Sequence, residues 1–64
     1  MTYHQLTLRE REVVEQIFNG LTSKEAAQVL GISHRTVETH RSRIFDKTGA
    51  RNMAQLARAL TYRQ

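Results

Sequence analysis

From Gly20 to Arg43 the chain reads Gly-Leu-Thr-Ser-Lys-Glu-Ala-Ala-Gln-Val-Leu-Gly-Ile-Ser-His-Arg-Thr-Val-Glu-Thr-His-Arg-Ser-Arg. Two helical patterns meet here across one glycine. Ala26, Ala27, Val29 and Leu30 precede Gly31, and Val37 and Ile44 follow it on one stripe with Phe45 beside them. Glycine just past a helix end takes the left-handed conformation without a Cβ penalty, so Gly31 supplies a tight turn. Ala27 falls where the two helices would cross, small enough for their backbones to approach. Ile32 then inserts into the core, and Val37 anchors the underside of the second helix. This spacing predicts two short helices set at a sharp corner.

The same punctuation divides the rest of the chain. Proline is absent and the glycines fall at 20, 31 and 49, which predicts three helix ends and therefore four helices. Thr7 with Glu10, Thr22 with Glu25 and Asn52 with Gln55 each fit a capping box, and Ser33 fits a plain N-cap. Helices are expected at about 8–19, 23–30, 34–48 and 53–62. Val13, Val14, Ile17 and Phe18 share one face of the first, with Leu21 just beyond. Met53, Leu56, Ala57 and Leu60 follow i, i+3, i+4, i+7 in the fourth. No strand alternation, repeat or low-complexity stretch interrupts this all-α reading. Residues 1–5 and the last two are expected to fray.

A chain of 64 residues makes one domain at most. It buries only about 60% of its unfolded surface, so good caps, a well-patterned core or dimerisation must support it. Without cysteine it has neither a disulfide framework nor a cysteine-based zinc site, in keeping with a reducing compartment. No apolar run approaches the roughly 18 residues needed to span a bilayer, and no signal-peptide pattern opens the chain. The expectation is a cytoplasmic protein without a membrane partner. The net charge of +4 and the pI near 10.4 suit a polyanion as well as plain solubility, so the placement of the charge decides. Residues 24–51 hold six Lys/Arg against three Asp/Glu. The first helix instead mixes Arg9 and Arg11 with Glu10, Glu12 and Glu15, which reads as a cap and a solvated face.

At about 100° per residue, Val37, Ile44 and Thr48 point inward from helix 34–48, and Arg35, Glu38, Thr39, Ser42 and Asp46 point outward. Two helices at a glycine turn, the second bearing arginines and small polar residues outward, is the layout of a helix-turn-helix over about 23–42. The second helix of that motif reads the major groove of double-stranded DNA, mostly from its N-terminal part. Arg35, Glu38, Thr39 and Ser42 are therefore the expected base contacts. Arginine donates to guanine O6 and N7, glutamate accepts from cytosine N4, a threonine methyl packs on the thymine methyl, and serine bonds several edges. Lys24, Thr36, Arg41, Arg43, Lys47 and Arg51 flank this face and suit phosphate contacts. Arg41 projects from the core-facing side, so packing along its stem is an equal reading. Asp46 reads as solvated, and Arg58 and Arg63 as solvated side chains or members of helix ion pairs. His40, near the inner stripe, reads as a structural histidine bonded between helices or toward a phosphate. No catalytic constellation, metal-ligand spacing or phosphate-binding glycine loop is present, so neither an enzyme nor a cofactor or small-molecule ligand is expected.

Three blocks carry a family resemblance: Leu6-Thr-Leu-Arg-Glu-Arg-Glu-Val13, Gly20-Leu-Thr-Ser-Lys-Glu-Ala-Ala27 and Ile32-Ser-His-Arg-Thr-Val-Glu-Thr-His40. Together they resemble the LuxR-type helix-turn-helix of the LuxR/FixJ/NarL family, the output domain of bacterial quorum-sensing and response regulators. The resemblance runs from Leu6 to about Leu60, and the Thr-Val-Glu-Thr-His-Arg string leans toward response regulators. It implies a four-helix domain controlling transcription, with RNA polymerase a possible partner. It also implies a homodimer on a pseudo-palindromic promoter site, with Met53, Leu56, Ala57 and Leu60 of the fourth helix at the dimer contact. By position it puts Glu38, Thr39 and Ser42 in base-contacting slots and Lys24, Thr36 and Lys47 in phosphate-contacting slots. The chain departs from the family pattern at Leu8, where Pro is frequent, at Ala26, where a larger Ile is common, and at Glu38, often Lys. An acid facing the groove weakens non-specific attraction and sharpens base preference.

Two other readings share some of these features. Region 4 of an RNA polymerase sigma factor uses a similar motif, but the first block and the fourth helix favour the LuxR type. A helical interaction module with a basic face for an acidic protein is the alternative from another class.

Overall fold

The computed structural model describes residues 5–61, with the side chain of Thr61 left out of account. Four helices follow one another: α1 Leu8–Phe18, α2 Ser23–Leu30, α3 His34–Thr48 and α4 Met53–Thr61. Among the described residues there is no strand. The expected all-α architecture and helix order are those observed. α1 ends one residue sooner than expected, at the Asn19 cap. Residue 62, the outer ends expected to fray and Arg63 lie outside the described residues, apart from Gln5, which is exposed.

Isolated helices shorter than about 12–15 residues are marginal in water. α1 and α2, with 11 and 8 residues, are held by their caps and their packing. Thr7 and Thr22 each accept the N–H of a glutamate three residues on, and that glutamate accepts the threonine N–H in return. Each such N-cap contributes about 1 kcal/mol. Ser33 caps α3 through Thr36 N–H, and its hydroxyl also bonds the Thr36 hydroxyl. The fourth cap departs from expectation. Asn52 accepts from Gln55 N–H, but the Gln55 carbonyl turns to the N–H of Arg51 and not to that of Asn52. Gly31 (φ +70°) and Gly49 (φ +73°) sit in the left-handed region and end α2 and α3.

α3 packs against all three other helices, and α4 rests chiefly on α3. The buried core is Leu6, Val13, Val14, Ala26, Ala27, Val37, Ile44, Leu56 and Leu60. Ala27 and Val37 both belong to it, and Ile32 packs against its edge. Two apolar residues assigned to inner faces prove exposed, Phe18 at 43% and Val29 at 61%. The inner row of α2 is Ser23, Ala26, Ala27 and Leu30, and Val29 lies about 110° from its centre. Conversely, Glu10 is not on a solvated face. It belongs to the inner row of α1 with Val13, Val14 and Ile17, and is 2% exposed.

Candidate nucleic-acid interface

The N-terminal half of α3 carries an open depression lined by His34, Arg35, Glu38, Thr39 and Ser42. At 100° per residue these five span an arc of about 140°, centred well away from Val37 and Ile44, which are buried. All four expected base readers are thus brought together, and His34 joins them. Its place was legible as one helical turn before Glu38.

The polar geometry of this surface is specific. Glu38 faces His34 across one turn, Oε2 to Nε2 3.4 Å. Its carboxyl is held below the usual carboxylate range by the nearby Ser23 hydroxyl, against the opposing effect of burial, with help from the charges of Arg41 and His34. Glu38 is therefore ionised at neutral pH. Arg35, on the same face, makes no ion pair among the described residues. The Thr39 hydroxyl donates to the carbonyl of Arg35 at 3.1 Å, leaving its methyl group and oxygen lone pairs for other contacts.

The flanking cations divide into two kinds. Lys24, Arg43 and Arg51 are exposed and have no carboxylate partner among the described residues. Two others have partners inside the protein. Arg41 is half-buried, and its Nη1 donates to Ser23 Oγ at 2.8 Å. Lys47 Nζ donates to Glu10 Oε1 at 2.7 Å, tying α3 to α1. Burial alone would raise the Glu10 carboxyl, but Lys47 and the Thr7 N–H outweigh it and hold it below the usual range. Thr36 is exposed, although its hydroxyl already serves the α3 cap.

His40 is half-buried, and its Nδ1 has no hydrogen-bond partner, so the expected interhelical bond is not made there. In α4, Leu56 and Leu60 are buried within the single chain, while Met53 and Ala57 are half-buried. The two leucines offered as dimer contacts are thus spent on the core, because α4 has one strongly apolar stripe and α3 covers it. Among the described residues no three His, Cys, Asp or Glu are grouped to hold a metal ion. No helix in this range is long and apolar enough to cross a membrane.

Residues 4–60 match the family model GerE, bacterial regulatory proteins of the luxR family. The chain belongs to this family. Several regulators are similar to the luxR-family domain. The C4-dicarboxylate transport transcriptional regulatory protein DctR of Rhodobacter capsulatus is 55% identical over 49 residues, covering 77% of this chain and 25% of that protein. The transcriptional regulatory protein UhpA of Escherichia coli is 44% identical over 55 residues, covering 86% and 26%. The transcriptional regulatory protein FixJ of Azorhizobium caulinodans is 45% identical over 53 residues, covering 83% and 25%. The chain spans about a quarter of the length of these relatives. No solved structure matches it significantly. The family is one of DNA-binding helix-turn-helix regulators of transcription, and the sequence resemblance is borne out.

Proposed function

We propose that this luxR-family domain binds double-stranded DNA sequence-specifically, with α3 in the major groove, as part of a cytoplasmic bacterial transcription regulator. The observation that carries the reading is the α3 depression. It groups a guanidinium, a carboxylate and two hydroxyls on one helix face, and unpaired cations lie in the segment around it. Arg35 donates to guanine, Glu38 accepts from an exocyclic amino group, and the Thr39 methyl meets thymine. Ser42 reads the next edge along the groove. Lys24, Arg43 and Arg51 meet phosphates, and Thr36 adds a hydroxyl at the head of α3. Arg41 and Lys47 contribute charge at short range while keeping their bonds to Ser23 and Glu10.

The domain acts as a homodimer on a pseudo-palindromic promoter site. In this reading the half-buried Met53 and Ala57, with exposed Ala54 and Arg58 beside them, form the contact. Leu56 and Leu60 support it from beneath. RNA polymerase is the proposed protein partner at the promoter.

Selection from random duplexes tests the whole reading. The expected product is an inverted repeat whose half-sites are bound well above scrambled duplex. Equal affinity for selected and scrambled DNA refutes sequence-specific binding and favours an acidic protein partner. A single asymmetric half-site bound by a monomer refutes the dimer.

A further inference from the structure

Ser23 is unusual among the polar residues of this domain. Glu10 and Ser23 are the two buried polar or charged residues in the described range. Glu10 is accounted for by its cap and by Lys47. Ser23 is the first residue of α2, but it does not cap that helix, because Thr22 does. Its buried hydroxyl is turned instead to α3, where it accepts from Arg41 Nη1 at 2.8 Å, between residues 18 positions apart.

Arg41 closes a row on α3. His34, Glu38 and Arg41 are spaced i, i+4, i+7, so they stack along one face. Glu38 is bracketed in this row, with His34 at 3.4 Å on its N-terminal side and Arg41 one turn toward the C-terminus. A guanidinium carries five donors in a rigid fork, and one of them is fixed by Ser23. A serine hydroxyl both accepts and donates, so the oxygen that takes Arg41 keeps a proton that it can turn toward the nearby Glu38 carboxylate. The charge beside Glu38 is therefore anchored to a different helix.

We infer that Ser23 is a positioning residue for base recognition, fixing the Arg41 guanidinium one turn along α3 from Glu38 so that its charge biases the carboxylate toward the orientation that reads an exocyclic amino group. The inference rests on the proposed DNA-binding function. An ionised carboxylate only accepts hydrogen bonds, so it favours the amino group of cytosine or adenine. It opposes guanine O6 and N7 and thymine O4. A carboxylate free to rotate loses much of that discrimination while its charge stays the same. Arg41, withheld in this way, acts on specificity more than on phosphate affinity.

The test uses the 64-residue chain and the selected duplex, with every base pair of one half-site varied in turn. Glu38→Ala first identifies the base pair that Glu38 reads. Ser23→Ala and Arg41→Gln are then measured singly and together. Each is expected to lower the affinity ratio at that base pair about tenfold. The double variant is expected to lose no more than either single one, and the ratio at the Thr39 base pair to stay unchanged. Alanine is the best helix former and Ser23 has no capping duty, so Ser23→Ala keeps α2. Arg41→Gln probes the same bond from the other side. Uniform weakening at all positions, unchanged ratios or an additive double variant would overturn the inference. Failure of the wild-type chain to prefer any sequence overturns the DNA-binding reading instead, and is seen before any variant is made.

Discussion

Replacing Lys47 by methionine keeps the aliphatic stem but removes the one cation bonded to Glu10 among the described residues. The Glu10 side chain is 3% exposed and Lys47 36%, so the two ends of the pair are not equivalent. Glu10 Oε1 takes Lys47 Nζ at 2.7 Å and the Thr7 N–H at 2.9 Å. Lys47→Met leaves a buried carboxylate with the Thr7 cap alone, and stranding one member of a buried pair costs about 3–5 kcal/mol. Glu10→Gln is milder. The amide oxygen still accepts from Thr7, and the released ammonium is exposed enough to hydrate. Its cost is that of a charge-assisted hydrogen bond, about 1.5–3 kcal/mol. At about 0.05–0.15 kcal/mol per residue, the whole domain has only about 3–10 kcal/mol, so Lys47→Met removes a large share of it.

Urea unfolding followed by helical circular dichroism measures both variants. The double variant should recover part of the Lys47→Met loss. The acid limb carries a second signature. Glu10 has a folded pKa below its unfolded value near 4.5, so its contribution is complete above that value and lost as pH falls through the folded one. Glu10→Gln should flatten this limb. Glu38, lowered in the same sense, keeps the remainder. Equal costs for Lys47→Met and Glu10→Gln, or an acid limb that Glu10→Gln leaves unchanged, refute the reasoning.

Thr39→Ala should relax preference at one base pair by about 1–3 kcal/mol, read from the selected consensus. An unchanged consensus means that face is misplaced. Lys24→Ala and Arg43→Ala should each weaken all sequences about equally and lower the salt slope by about 1 per protomer. Titration at several salt concentrations checks this, and loss of discrimination without loss of affinity contradicts the phosphate role. They are cleaner probes than Lys47→Ala, whose effect on DNA binding is mixed with loss of the Glu10 bond. Gly31→Ala should cost about 1–2 kcal/mol from its left-handed backbone alone, because an added Cβ there meets nothing within 4 Å. A melt in which it costs nothing shows that the α2–α3 turn adopts another conformation.

Interactions closed within four residues were legible in the chain. The capping boxes at Thr7 and Thr22, the plain cap at Ser33 and the helix-ending glycines follow from spacing, because donor and acceptor lie on the same turn. The Asn52 box was misread at the same range. Gln55 has two backbone donors within reach, and spacing does not rank Arg51 N–H against Asn52 N–H. Burial was less legible. Val29 and Phe18 are apolar yet exposed, and Glu10 is charged yet buried. Glu10 lies in phase with Val13, Val14 and Ile17, so position predicted its burial where residue type argued against it. Leu56 and Leu60 show the same limit for α4, since an apolar stripe records that something covers it but not what does.

The sequence by itself determined four helices, their order, the corner at Gly31 and the α3 face that groups Arg35, Glu38, Thr39 and Ser42. Each follows from a helical period of 3.6 residues and from caps made within a single turn. Tertiary structure alone decided which flanking cations are free to meet a polyanion. Lys47 looks like Lys24 and Arg43 in the chain, and Arg41 differs only in projecting from the core-facing side, but the partners of Arg41 and Lys47, Ser23 and Glu10, are 18 and 37 residues away. Those partners come within reach only when α2 and α1 pack on α3, and no local period encodes that meeting.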